Sequence, residues 1–144
     1  MSTMADYLAA VARPGQTVNN VFGFLGVVVE ELAPGQARLS LALRPEFLQG
    51  AGMVAGGVLA TLLDETMAHA VLPALAQGQA VTTVELGVRY LSAVGPRDLD
   101  GPPLVCLARV VRQGKRIAFV EAGVSLAGRD IARADASFLI VTAP

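Results

Sequence analysis

Along the chain the hydrophobic period changes several times, and each change marks an element. Thr3-Met4-Ala5-Asp6 resembles a capping box. Tyr7, Leu8 and Val11 continue it as a short amphipathic helix that ends at Pro14-Gly15. Val21 to Leu32 is a valine-rich apolar run closed by a turn at Pro34-Gly35, and Ala37 to Leu43 alternates as its hairpin partner. Arg44 to Ala55, with Pro45, Gly50 and Gly52, reads as loop. Gly57 to about Leu72 is too long for an ordinary strand and is rich in Leu, Ala and Met, which predicts a helix stopped by Pro73 and Gly78. Val81–Leu91, Leu104–Arg112, Arg116–Leu126 and Ile131–Val141 read as four strands. Gln113-Gly114-Lys115 and Ala127-Gly128-Arg129 are hairpin-type connections between them. The predicted order is α-β-β-α-β-β-β-β, an α+β chain whose last four strands form a meander.

The long helix is apolar or small on nearly every face. Leu59, Leu63, Met67 and Ala70 form one stripe, with Val58, Leu62 and Thr66 beside it. Such a helix is enclosed on most sides, and one curved antiparallel sheet wrapped around it satisfies that demand.

Composition adds a partner to this picture. The 144 residues fit one domain, 1–144, and are 53% hydrophobic but only 16% charged. That excess predicts surface buried against another subunit. A net charge of −1 gives no electrostatic footprint for nucleic acid, and without Trp there is no base-stacking platform. The lone Cys106 excludes an intrachain disulfide and fits a reducing compartment. The N-terminus lacks a basic region ahead of an apolar one, and the apolar spans are broken by Gly, Gln or Pro73, so neither a signal peptide nor a membrane span is expected. The expectation is a soluble cytoplasmic protein.

Within the helix, Asp64 has Ala60, Thr61, Met67, Ala68 and Val71 around it. Lost solvation raises the pKa of such a carboxyl unless donors compensate, and suits it to be a general base or a nucleophile. The alternative is a capped carboxylate at an exposed or interface position. Glu65 pairs with His69 four residues on, as a stabilising pair on a partly exposed strip or as a proton shuttle. No other histidine exists and no metal-ligand spacing occurs, so no metal is expected. Gly56 and Gly57 stand where the helix begins, with N–H groups free and no Cβ to keep a substrate oxygen away; they are either an oxyanion cradle or a means of tight packing. Gly50-Ala51-Gly52-Met53-Val54-Ala55 formally matches a dinucleotide fingerprint, but no βαβ unit surrounds it. Cys106 lies mid-strand as an inert core thiol, and no G-x-S-x-G elbow is present.

Gln49 to Asp64, QGAGMVAGGVLATLLD, resembles the hot-dog acyl-CoA thioesterases of the phenylacetate-degradation (PaaI-like) type. Their pattern is Asn or Gln, Gly, His-Gly-Gly, then Leu-x-Asp or Leu-x-Glu. TTVELGVRYLSAV and ARVVRQGKRIAFVEAGVSLAGRDIARADASFLIV are similar to that family's last four strands, so the likeness spans nearly the whole chain. The resemblance implies the hot-dog fold, a long helix wrapped by a curved antiparallel sheet. It also implies thioester hydrolysis with Asp64 as base or nucleophile, the Gly56 N–H polarising the carbonyl and Gln49 orienting the nucleophile or thioester. Thr83 falls where members carry an assisting Ser or Thr, although strict alternation puts it on the face of Glu85 and Arg89, toward a subunit interface. Gly57 and Ala55 belong to the substrate-binding loop, and Arg112, Lys115 and Arg116 at a hairpin tip are candidates for the coenzyme A phosphates. Coenzyme A is part of the substrate, so no separate cofactor is implied. The family assembles as homodimers or homotetramers with the active site between subunits.

Two departures bear on this. Ala55 stands where the family keeps its histidine, and Gly87 where an Asn is common. An acyl-CoA thioesterase is therefore the leading expectation, and a hot-dog protein that binds an acyl thioester or aromatic ligand without turnover is the alternative. A hydratase or dehydratase ranks last, because His69 lies off the register of that class's motif.

Overall fold

The computed structural model describes residues 3–144. Helix α1, Met4–Val11, starts with a true capping box, the Thr3 hydroxyl accepting from the Asp6 N–H and the Asp6 carboxylate from the Thr3 N–H. Helix α2, Asn20–Leu25, replaces the first half of the expected strand; strand β1, Val27–Ala33, is only the remainder of that run. The reason is capping. The Asn19 side chain accepts from the Phe22 N–H at 3.0 Å, and Gly26, at φ 82°, closes the helix by donating to the Phe22 carbonyl at 2.7 Å. With both ends satisfied, Phe22 and Leu25 bury one face of a turn and a half.

Strand β2 is Gln36–Leu41, and after a loop helix α3 runs Gly56–Val71. Strands β3, Gln79–Tyr90, β4, Leu104–Gln113, β5, Ile117–Leu126, and β6, Arg129–Thr142, follow. All pairings are antiparallel, in the order β1-β2-β4-β5-β6-β3. The last four strands are thus not a meander. The β4–β5 and β5–β6 turns are tight, but residues 91–103 lie between β3 and β4. That length is a crossover rather than a hairpin. It carries the chain across the sheet, so that β3 pairs with β6 and becomes an edge.

Helix α3 lies across the concave face of this hot-dog sheet. Leu62, Leu63, Met67, Ala70 and Val71 are fully buried against Leu39, Leu104, Val120 and Phe138. Each large side chain so buried contributes about 1.5–3 kcal/mol. One stripe escapes the sheet. Gly57 is exposed and Thr61, Asp64 and Ala68 are half-buried, at helical spacing along a single line. Enclosure of α3 is therefore incomplete, and the uncovered line carries Asp64.

Candidate active site

The first turn of α3 begins at Ala55, extended at φ −61° and ψ 135°, with no side-chain cap. The Ala55 N–H donates to the Phe47 carbonyl at 2.8 Å, which ties the helix start to the Pro45–Phe47 turn. The Ala55 carbonyl takes the Val58 N–H at 3.0 Å. Among the described residues nothing accepts from the N–H groups of Gly56 and Gly57, as expected for a helix start without a cap. A side chain at Gly57 would meet open space, whereas a Cβ on Gly56 would lie 3.0 Å from both the hydroxyl and the Cζ of Tyr90. The Tyr90 hydroxyl also donates to the Gly56 carbonyl at 2.7 Å. Sequence reasoning passed over Tyr90, whose contact with Gly56 exists only once β3 lies beside α3.

Two turns along, Asp64 accepts from the Thr83 hydroxyl at 2.7 Å on Oδ1. Strict alternation had turned Thr83 away from α3. A β-bulge between Thr83 and Glu85 reverses that, since the register runs Thr83 opposite Phe138 and then Glu85 opposite Ser137. Val84 is the extra residue. It lets Thr83, Leu86, Val88 and Tyr90 all share the face of the buried Phe138, Ala136, Ala134 and Ala132. Within one chain, Thr83 thus reaches Asp64. Among the described residues no donor reaches Asp64 Oδ2.

Gln49 is not brought to them. It is exposed in a loop bridged at Leu48 and Val54, its backbone N–H donates to the Met53 carbonyl at 2.7 Å, and its side-chain oxygen accepts from the Ala51 N–H. Arg112, Lys115 and Arg116 are exposed at the β4–β5 end and form no ion pair among the described residues. The Arg116 carbonyl anchors that turn to β6, accepting from the Ile140 N–H at 2.7 Å.

The Glu65–His69 pair, expected on a partly exposed strip, keeps Glu65 half-buried but sinks His69, which is only 2% exposed. Its Nδ1 lies 2.7 Å from the Glu65 carbonyl and 3.8 Å from the Glu65 carboxylate, and its Nε2 lies 3.0 Å from the Tyr7 hydroxyl. Asn19 donates to that hydroxyl at 3.0 Å, and the Phe22 ring packs 4.8 Å from the imidazole. Burial lowers the His69 pKa, with the Glu65 carbonyl acting in the other direction. With a neutral ring, Nδ1–H donates to Glu65 and Nε2 accepts from Tyr7. Glu65 is raised first by burial and then by the charge of Asp64, with Asn19 partly offsetting both. The sequence missed this cluster because its members come from three helices, one of them unforeseen. Cys106 is buried under Thr66, its thiol pushed up to about 12 by desolvation, as an inert core thiol should be.

A cavity of about 820 Å³ lies on the outer face of the sheet, among Arg38, Arg89, Arg109, Arg133 and Asp135, and neither Asp64 nor Gly56 lines it. Among the described residues no group of three His, Cys, Asp or Glu side chains can hold a metal ion. No helix there is long and apolar enough to cross a membrane.

Known proteins share this sequence pattern and this shape. Residues 51–132 match the thioesterase superfamily. Human acyl-coenzyme A thioesterase 13 is 29% identical over 120 residues, covering 83% of this chain and 82% of that protein. A Halobacterium salinarum protein with the word esterase in its name is 34% identical over 125 residues, covering 83% of this chain and 79% of that one. The solved structure of a phenylacetic acid degradation-related protein of Ralstonia eutropha superposes with a TM-score of 0.80 at 27% identity, over 92% of this chain and 98% of that one. This chain belongs to the thioesterase superfamily, a family of thioester hydrolases.

Proposed function

We propose that the protein hydrolyses an acyl- or aryl-acyl-CoA thioester and that Asp64 delivers the attack, by deprotonating a water or by adding to the carbonyl carbon itself. On the first route the proton taken from the water passes to the sulfur as the C–S bond breaks, and coenzyme A leaves as the thiol. On the second the C–S bond breaks to leave an Asp64–acyl anhydride, which a water then hydrolyses, its proton going to the thiolate. The observation that carries this reading is Asp64 on the open stripe of α3, fixed through Oδ1 by Thr83 with its other oxygen uncommitted. Glycine N–H groups without an acceptor supply the matching oxyanion donors. Exposed Arg112, Lys115 and Arg116 are the cations for the coenzyme A phosphates.

One chain is not enough. Eight residues separate Gly56 from Asp64, about 12 Å along the helix at 1.5 Å per residue. A thioester carbonyl must lie about 3 Å from both the attacking group and the oxyanion donor. The pair that the sequence placed on a single helix therefore has to come from two subunits. Strand β3 carries both markers on an unpaired edge, Thr83 beside Asp64 and Tyr90 beside Gly56. Antiparallel pairing of two β3 edges, centred near Leu86 and Gly87, would bring Thr83 of one copy level with Tyr90 of the other. Asp64 would then face the second copy's first helical turn, and Gln49 would act across the same boundary. A homodimer is the minimal unit of this reading. Exposed Leu107, Val111 and Phe119 on the outer sheet face support its further pairing to a homotetramer. The free, buried Cys106 fits a cytoplasmic location, and residues 1–144 act as one domain.

A second reading rests on Ala55, which gives the helix start no side-chain cap where the related motif has histidine. In it the protein binds an acyl thioester or aromatic ligand without turnover. Free-thiol release from a panel of aryl, short-chain and long-chain acyl-CoAs, with Asp64→Asn beside the wild type, decides between them. Thiol release lost in Asp64→Asn supports hydrolysis by Asp64. Micromolar binding with no release supports the second reading, and release undiminished in Asp64→Asn sinks the assigned mechanism.

A further inference from the structure

We infer that Tyr90 is a positioning residue for a second oxyanion donor, the Gly57 N–H beside that of Gly56, and that it acts through the Gly56–Gly57 peptide. The inference rests on the hydrolytic reading and adds to it a residue that no motif marks. Tyr90 touches the first turn of α3 twice: its hydroxyl donates to the Gly56 carbonyl at 2.7 Å, and its ring end would crowd a Cβ at that residue at 3.0 Å.

A peptide unit is planar and trans, so its C=O and the N–H of the next residue point in opposite directions. Anchoring the Gly56 carbonyl on Tyr90 therefore also fixes the direction of the Gly57 N–H. That N–H has no acceptor among the described residues, and it belongs to an exposed residue on which a Cβ would meet no atom within 4 Å. A carbonyl oxygen has two lone pairs, so it can serve Tyr90 and the helix ladder together. Accepting the extra bond polarises the amide and strengthens the donor at its far end. Two glycines in succession would leave this turn loose, and helices start poorly without a side-chain cap. Here no side chain of Ala55 caps it, and the Tyr90 hydroxyl restrains the turn from the sheet instead.

Tyr90→Phe keeps the ring and removes the hydroxyl. Because the residue is 52% exposed, its stability cost is small. The variant is measured for kcat and KM on whichever acyl-CoA of the panel turns over fastest, and for the amide ¹H–¹⁵N resonances of Gly56 and Gly57 in the free protein. The expected result is a kcat lower by about tenfold, less than the 10²–10³-fold of deleting a donor, with KM little changed and the Gly57 amide displaced. A kcat unchanged in Tyr90→Phe overturns the inference. So does a kcat that falls while the Gly57 amide stays in place, since Tyr90 would then act on the substrate directly. Should the wild type turn over none of the panel, the hydrolytic reading fails, and the Gly57 resonance alone decides whether Tyr90 orients that peptide. Activity lost in Asp64→Asn but intact in Tyr90→Phe sinks the role of Tyr90 and leaves the reaction standing.

Discussion

Asp64 and His69 stand five residues apart on one helix and are built to opposite rules. His69 is buried and saturated. One ring nitrogen is committed to the Glu65 carbonyl and the other to Tyr7, which in turn takes a bond from Asn19. Asp64 is half-buried and holds one bond, from Thr83, with acceptor capacity to spare. A polar cluster whose bonds are all satisfied serves the fold, because any ligand entering it must first break something. A carboxylate fixed at one oxygen and open at the other is oriented without being used up. In the sequence Asp64 was the candidate reactive group, while His69 was read with Glu65 as a stabilising pair or, alternatively, as a proton shuttle.

The widest way to break this contrast is to remove each centre. Asp64→Asn is expected to cut thioester hydrolysis by about 10³-fold while the thermal midpoint stays put or rises, measured by thiol release and a melting curve. His69→Ala should do the reverse. It empties a buried site and strands the Tyr7 hydroxyl, for a loss of about 2–4 kcal/mol in urea unfolding. The kcat of the fraction still folded should match wild type. If His69→Ala lowers that kcat more than Asp64→Asn does, the division between site and scaffold is wrong.

Much of the scaffold side was legible. The length and composition of residues 56–71 name a helix, and the alternation of residues 104–142 names three strands, because period and turn chemistry are local. Helix α2 was hidden inside a valine-rich run, although Asn19 and Gly26 were its caps all along. The position of β3 was hidden because pairing across a long crossover leaves no mark on periodicity. The site was legible only in its motif. Asp64 and the glycines were singled out together, about two turns apart on one helix, and the structure keeps that spacing. Thr83 was assigned to the wrong face because a bulge shifts register without altering composition. Tyr90 carries no sequence signal until β3 is laid beside α3.

A narrower test asks how tightly Asp64 must be held. Thr83→Val removes one hydrogen bond to a carboxylate, an interaction of about 1.5–3 kcal/mol, so kcat should fall about tenfold or more. Thr83→Ser, which restores the hydroxyl at the bulge, should recover most of it. A serine variant no better than valine would mean that the bulge itself, not the hydroxyl, orients the site.

The smallest expected effect joins the two clusters, since Glu65 touches both. His69 has a folded pKa below its unfolded 6.5, so between those values the unfolded chain binds more protons. Its contribution is complete above 6.5 and is lost as pH falls through the folded value. Glu65 has a folded pKa above its unfolded 4.5, so its protonated form is favoured in the fold, and stability is lost as pH rises from 4.5 through the folded value. The two slopes oppose each other where the windows overlap, and wild-type stability should vary little there. Glu65→Gln removes one of them. Urea midpoints followed from about pH 8 down to about pH 5 should then fall more steeply in Glu65→Gln than in wild type. Asp64→Asn gives the finer reading, because the Asp64 charge is the second cause of the Glu65 shift. Without that charge the Glu65 pKa moves back toward its ordinary value, and the stability lost on raising the pH shrinks. If Asp64→Asn leaves the pH profile of stability untouched, the two clusters share a helix but no electrostatics.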